Sequence, residues 1–256
     1  MASYFIYDSI NQYRSDNTIT EGQMTDSDTP TFSASDTLTS HERSSDQNIG
    51  TVLSGVADRD AIEYAVGSSA TADAAAVYFT GDDGVASGTI MTFFIDTDRA
   101  SLPSKGTISA VSGAGWVVAD LTETTGTKFF TEFNAAVSNV SEILIGKKLT
   151  FEIEPDINVQ SSINYENEVQ RSLGGVEYAI NVNPGQEVFT ISFQNISSTF
   201  KSNLITMQDA IKGEAKKFVW YDGSNFNWVR LDKPMTFTEI ADGRFSTQLV
   251  LRQQIQ

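Results

Sequence analysis

Between residues 61 and 145 the chain is cut into short apolar blocks: Ala61-Ile-Glu-Tyr-Ala-Val66, Ala74-Ala-Ala-Val-Tyr-Phe79, Thr89-Ile-Met-Thr-Phe-Phe-Ile95, Gly115-Trp-Val-Val-Ala119 and Glu142-Ile-Leu-Ile145. Runs of this length and spacing match the strands of a β-sandwich. The connectors Gly81-Asp-Asp-Gly84, Asp96-Thr-Asp98 and Ser112-Gly-Ala-Gly115 supply residues that tolerate turn geometry. No helix is demanded here beyond a short turn near 129–136. Upstream, residues 14–50 are dominated by Ser, Thr, Asp, Asn and Gln and read as surface loops between short strands.

The run Lys148-Leu-Thr-Phe-Glu-Ile-Glu154 alternates Leu149, Phe151 and Ile153 with Thr150 and Glu152, as a strand stopped by Pro155 would. A domain boundary is placed just after it. Charge supports the division: residues 1–155 hold 22 acidic and 8 basic side chains, residues 156–256 hold 11 and 9. The expected organisation is an acidic β-sandwich over 1–155, a polar linker or arm over 156–175, and a smaller domain over 176–256.

That last part has clear periods. In Glu187-Val-Phe-Thr-Ile-Ser-Phe193, residues Phe189, Ile191 and Phe193 share one strand face. Phe200, Leu204, Met207 and Ile211 recur at helical offsets, with Ser197 or Ser198 as N-cap and Gly213 as the stop. Lys217-Phe-Val-Trp-Tyr221 and Phe226-Asn-Trp-Val-Arg-Leu231 flank an Asp-Gly turn, a hairpin signature. Met235-Thr-Phe-Thr-Glu-Ile240 and Phe245-Ser-Thr-Gln-Leu-Val-Leu251 predict two more strands around Asp242-Gly243. The fold class is therefore mostly β: an N-terminal β-sandwich, then a smaller sandwich flanked by one α-helix.

The composition narrows the functions. With 33 Asp and Glu against 17 Lys and Arg, the formal charge of −16 sets a repulsive field before any nucleic-acid partner. Without cysteine there are no disulfides, thiolate metal sites or thiol nucleophiles. One histidine, His41, removes most zinc and acid–base constellations, and its polar surroundings read as exposed. The start, Met1-Ala-Ser-Tyr-Phe-Ile-Tyr-Asp8, has no basic segment leading into a long apolar run, so neither a secretion signal nor a membrane span is expected. No catalytic residue, cofactor or metal is assigned, and the protein is not expected to be an enzyme.

Several motifs carry two readings. Asp26/Asp28, Asp58/Asp60, Asp82/Asp83 and Asp96/Asp98 have spacings that suit Ca²⁺ or a glycosidase pair, yet solvated turn aspartates are expected in an acidic domain. Gly113-Ala-Gly115 lacks the Lys-Ser/Thr of a phosphate loop and reads as a turn. Trp116 is either a sugar-stacking platform, with Asp82 and Asp83 beside it, or a core residue. Trp220, Tyr221, Phe226 and Trp228 cluster on one hairpin; Trp220 and Tyr221 face opposite ways, so one leaves the main core for solvent or a partner subunit.

Residues 171–252 as a whole resemble the distal tail and tail-tip (minor tail) protein family of long-tailed bacteriophages. The resemblance rests on the order of six pieces. They are Ser172-Leu-Gly-Gly-Val-Glu-Tyr-Ala179, the strand from Glu187 to Ile196, the helix at 200–212, Lys217-Phe-Val-Trp-Tyr-Asp-Gly-Ser224, Val229-Arg-Leu-Asp-Lys-Pro-Met235 and Ser246-Thr-Gln-Leu-Val-Leu-Arg252. It implies a sandwich related to tail-tube proteins, assembled as a ring, typically six-fold, between the last tube ring and the tail-tip or baseplate hub. Its partners would be itself, the tail tube protein and hub or other tail-tip proteins, in a virion assembled in the host cytoplasm. Residues 1–155, with Ile143-Leu-Ile-Gly146 leading into Leu149-Thr-Phe-Glu-Ile-Glu-Pro155, resemble in strand rhythm the galactose-binding-like jelly rolls of some tail proteins. The alternative reading is a host-recognition protein that binds surface glycan.

Overall fold

The computed structural model describes residues 2–8, 18–24, 32–34, 44, 53, 56, 58–80, 89–97, 102–109, 113–136, 139–155, 160–164, 167–172, 177–181 and 185–254. The fold is mostly β with one α-helix. The chain forms two compact units, Tyr4–Leu149 and Thr150–Ile255, the second joined by Met1–Ser3.

The first unit is built from β1 (Tyr4–Asp8), β2 (Thr18–Met24), β3 (Phe32–Ala34), β4 (Asp60–Phe79), β5 (Thr89–Asp96), β6 (Ser104–Ser109), β7 (Gly115–Phe133) and β8 (Val140–Thr150). Their order is β6-β5-β7-β4-β8-β1, with β2 on β4 and β3 on β2. The blocks at 61–66 and 74–79 are the two ends of one 20-residue strand, β4. Its pairing with β7 slips between Ala65 and Ala70 and again between Ala72 and Ala74. Together the two slips leave a net register change of one residue, which exchanges the faces of a strand. The core side accordingly changes from Ile62, Tyr64, Val66 and Ala72 to Ala75, Val77 and Phe79. Opposite the slip, a Cβ on Gly126 of β7 would lie 2.7 Å from the Asp96 carbonyl oxygen, so only glycine lets the two backbones approach.

The short turn expected near 129–136 is instead the end of β7 through Phe133. Phe129 and Phe133 enter the main core, while Phe130 joins Met24, Phe32, Ala61, Phe94 and Leu102 in a second core on the other face. With both faces covered, apolar residues occupy both parities and the period-2 signal is lost. Asp60, Glu63 and Glu132 are also buried. Glu132 pairs with Arg59, and Lys128 Nζ stands 4.0 Å from Glu63. Burial lifts the Glu132 carboxyl above its ordinary pKa, although Arg59 and a hydrogen bond from Asn134 pull the other way.

The second unit contains β9 (Gln160–Asn164), β10 (Asn167–Arg171), β11 (Glu177–Asn181), β12 (Gln186–Ser197), α1 (Ser198–Ala210), β13 (Phe218–Tyr221), β14 (Phe226–Leu231), β15 (Thr236–Ala241) and β16 (Arg244–Gln253). The order is β13-β14-β16-β12-β9, β15 also lies on β16, and β10 with β11 forms a separate ribbon. Within the segment read as a linker or arm, β9 pairs with β12 and β10 with β11. The strand expected over 148–154 stops at Thr150. Beyond it Phe151 turns into the core against Phe193 and Phe200, and Glu154 is held by the backbone N–H and hydroxyl of Ser3.

The helix follows its stripe. Ser197 caps it by accepting from the Phe200 N–H at 3.1 Å. Phe200, Leu204, Met207 and Ile211 are buried. Gly213, at φ +66°, closes the end by donating to the Gln208 carbonyl. Phe189, Ile191 and Phe193 of β12 and Leu249 and Leu251 of β16 are the buried sheet face, as their alternation predicts.

Candidate functional site: the open sheet of the second unit

In an antiparallel sheet, directly opposed residues share a face. One face of β12 and β16 carries Phe189, Ile191 and Phe193 opposite Leu251, Leu249 and Thr247. The other carries Val188, Thr190 and Ser192 opposite Arg252, Val250 and Gln248. Register extends that second face sideways to Ser162 and Gln160 of β9 and to Thr236 and Thr238 of β15. Over β16 it forms a groove of about 470 Å³ whose side-chain lining includes Ser192, Gln194, Thr236, Thr238, Ser246 and Gln248, with Ile240 at one end. Hydroxyls and amides line it without a charge, in a chain of net charge −16.

The flanks of this sheet are open. Among the described residues, β9 pairs only with β12, and β15 only with β16. All five residues of β9 are exposed, and five of six in β15. Ile163 on β9 is 61% exposed and Ile240 on β15 is 52% exposed. The sequence of β9, Gln-Ser-Ser-Ile-Asn, has neither the lysine nor the proline that blunts a free edge. Because each pairing in β9-β12-β16-β15 is antiparallel, the two outer strands run in opposite senses. The periodic reading of 235–251 found β15 and β16, but only the register shows that β15 is an edge.

Of the four aromatics of the β13–β14 hairpin, register sets Trp228 on the face of Tyr221 and Phe226, and Trp220 on the other face. Trp220 is buried edge-on to Phe189 at 5.1 Å, and Trp228 is buried too. Tyr221 and Phe226 are half-buried and pack together at 4.8 Å. The Tyr221 hydroxyl donates to the Gly223 carbonyl, and Asp222 Oδ1 accepts from the N–H groups of Ser224 and Asn225, which fixes the turn.

In the first unit, Asp82, Asp83 and His41 lie outside the described residues, as do Asp26, Asp28 and Asp98. Trp116 is 7% exposed and packs on Tyr78 with ring centres 5.3 Å apart, so its ring is no open platform for a sugar. A polar cluster joins β4, β7 and β8: Lys147 Nζ contacts Asp73 at 3.1 Å and Glu123 at 2.6 Å, and Lys148 Nζ contacts Asp120 at 2.7 Å. Burial pulls the Lys147 pKa down, but its bonds to Glu123 and Asp73 outweigh that and leave it raised. Lys147 in turn lowers Glu123, by its hydrogen bond first and its charge second. Lys147 is thus held charged and occupied, unsuited to proton transfer. Among the described residues no three His, Cys, Asp or Glu side chains gather to hold a metal, and no helix is long and apolar enough to cross a membrane.

No family model and no curated protein matches the chain. Solved structures overlap it at low similarity, and they include carbohydrate-binding modules. The family 32 CBM from C. perfringens NanJ in complex with galactose has 16% identity and a TM-score of 0.30, covering 54% of this chain and 95% of its own. CpGH89CBM32-5 of Clostridium perfringens, in complex with GalNAc-beta-1,3-galactose, has 10% identity and a TM-score of 0.34, covering 53% and 95%. The C-terminal domain of a chitobiase from Bacteroides fragilis has 10% identity and a TM-score of 0.38, covering 54% and 97%. At TM-scores below 0.5 these overlaps carry no argument about what this chain binds.

Proposed function

We propose that the protein is a structural ring subunit of a phage tail tip or baseplate, joining the tail tube to the distal hub and receptor-binding parts. The observation that supports it is the sheet β9-β12-β16-β15, which is finished on its core face and open at both flanks. Copies related by rotation about an axis along the strands keep their strand senses, so β15 of one copy meets β9 of the next antiparallel. A head-to-tail contact of this kind repeats until it closes.

The flanks are also displaced along the strands in the way closure requires. β9 lies against residues 186–190 of β12, whereas β15 lies against the part of β16 opposite 192–197. Six residues amount to about 20 Å along a strand. Four strands span about 19 Å across. Bringing the flanks level tilts the strands by about 45°, at the upper end of the tilt seen in closed barrels. Six copies would set roughly 24 strands around the ring, beyond the number that side chains fill, and so enclose a channel. Its wall would be the face that holds the hydroxyl and amide groove, with Arg252 and, opposite it, Arg230 on the same face beyond the groove. The helix and apolar core would lie outside. In this reading the protein acts in the virion tail, is assembled in the host cytoplasm, and is not an enzyme.

The second reading is carbohydrate binding, as a host-recognition part of the tail. The groove of hydroxyls and amides offers partners for sugar hydroxyls and supports it. Light scattering of the purified chain at two concentrations, with glycan-array binding on the same sample, separates the two. A species near six times 27.9 kDa without glycan binding favours the ring. A monomer at both concentrations that binds glycans reverses the order.

A further inference from the structure

Among the described residues the exposed large apolar side chains are Ile163, Ile205 and Ile240, all in the second unit. Register divides them between the two faces of the sheet. Ile163 of β9 is opposite Glu187 of β12, two residues from Phe189 and so on the core face. Ile240 lines the groove on the other face. On the core face the β15 flank offers Phe237 instead, opposite Thr247 of β16 and only half-buried. One side of α1 stands beside it, since Lys201, Ile205 and Gln208 are spaced to share a helix face. Lys201 Nζ is 5.8 Å from the Phe237 ring centre and 3.9 Å from that of Phe245. Gln208 accepts from the Met235 N–H at 3.2 Å. Ile205, between them, is 41% exposed. The β9 flank therefore presents an apolar projection and the β15 flank an apolar step, on the same face of the sheet.

We propose that Ile163 of one copy packs on Phe237 of the next, and that this pair sets the register of the β9–β15 contact. The inference rests on the ring reading. Directly opposed residues of antiparallel strands share a face, and an aromatic opposite a β-branched side chain is among the pairs that stabilise a sheet. Registers of the same parity are poorer. A shift of two residues sets Ile163 against the exposed Glu239 or against Met235, which is buried and precedes the strand. With Ile163 on Phe237, the flanks differ by six residues along β12, because Ile163 is level with Glu187 and Phe237, through Thr247, with Phe193. That is the displacement which a tilt of about 45° closes. Charge agrees with this register: Glu187 lies beside Ile163 and Lys201 over Phe237, so opposite charges meet on one face of the seam.

The test is a double-mutant cycle on the full-length chain: Ile163→Ala, Phe237→Ala and the two together. Light scattering gives the protein concentration for half-assembly, and thermal unfolding checks that each variant folds. Each single substitution is expected to raise that concentration about 10-fold. The double variant should be no worse than the weaker single, because one shared contact is lost only once. A charge exchange, Glu187→Lys, Lys201→Glu and both, leaves the apolar pair in place and supplies the second measurement. Each single exchange should weaken assembly about 3-fold, most at low salt, and the double should recover it. Single variants that assemble as the wild type does, or effects that multiply in the cycle, overturn the pairing while the ring reading stands. If Phe237→Ala does not fold, a charge exchange without recovery overturns it in the same way. A wild type that stays monomeric at every concentration overturns both.

Discussion

The two units use the same strand chemistry to different ends. In Tyr4–Leu149, the long strands β4 and β7 bury apolar residues on both faces, with β2 and β3 sheltering a second core. In Thr150–Ile255, β12 and β16 bury one face beneath α1, while the groove on the other is polar and, among the described residues, the outer edges of β9 and β15 have no strand beside them. A sheet covered on both faces has little left to offer a neighbour. One with a finished core and two unguarded edges remains available for extension. In the proposed ring, recognition between copies would therefore fall to the second unit, although the first holds most of the chain's net charge.

Substitutions can break that contrast at graded cost. The largest effect is expected at the ring contact among Phe151, Phe193 and Phe200. Phe193→Ala should destabilise the second unit by about 3–5 kcal/mol, read by chemical denaturation. A loss below 1 kcal/mol would mean that this face is not the core. Next comes the backbone approach in the first unit: Gly126→Ala forces a methyl toward the Asp96 carbonyl and should cost about 1–3 kcal/mol. Removing the helix cap, Ser197→Ala, should cost about 1 kcal/mol.

Smaller still is a pH effect confined to the first unit. Because burial raises the Glu132 pKa above its ordinary 4.5, the folded state holds that proton more tightly than the unfolded chain. The associated stability is complete at acid pH and is lost as pH rises through the raised value. Wild type should therefore lose stability relative to Glu132→Gln on going upward from pH 4.5. Parallel stability curves for the two would show that Glu132 is not responsible. At the edge, Ile163→Lys should change stability by less than about 0.5 kcal/mol yet abolish assembly, since it places a charge on an open strand. Assembly that survives the substitution would move the contact elsewhere.

The second unit was the more legible in sequence because each element has one buried face. Phe189, Ile191 and Phe193 alternate, and Phe200, Leu204, Met207 and Ile211 keep a helical period. In the first unit, Gly67-Ser-Ser-Ala-Thr-Ala-Asp73 has the composition of a turn, yet it is the middle of β4, where small residues accommodate two register slips. The Phe129–Phe133 segment lost its period because both of its faces are buried. Trp116 could be weighed only between surface and core, and the structure places it in the core. Neither the edges β9 and β15 nor the opposition of Arg230 to Arg252 leaves a local signal, since both follow from pairing with distant strands.

The chain has no cysteine, so the edge contact can be read by introducing two. Ser162→Cys on β9 and Thr238→Cys on β15 lie on the same face of opposite edges. Mild oxidation of the double variant, followed by denaturing electrophoresis without reductant, should give a ladder of covalent multimers ending at a closed ring, while each single variant stays monomeric. A double variant that stays monomeric although light scattering shows it assembled would contradict the pairing of β9 with β15.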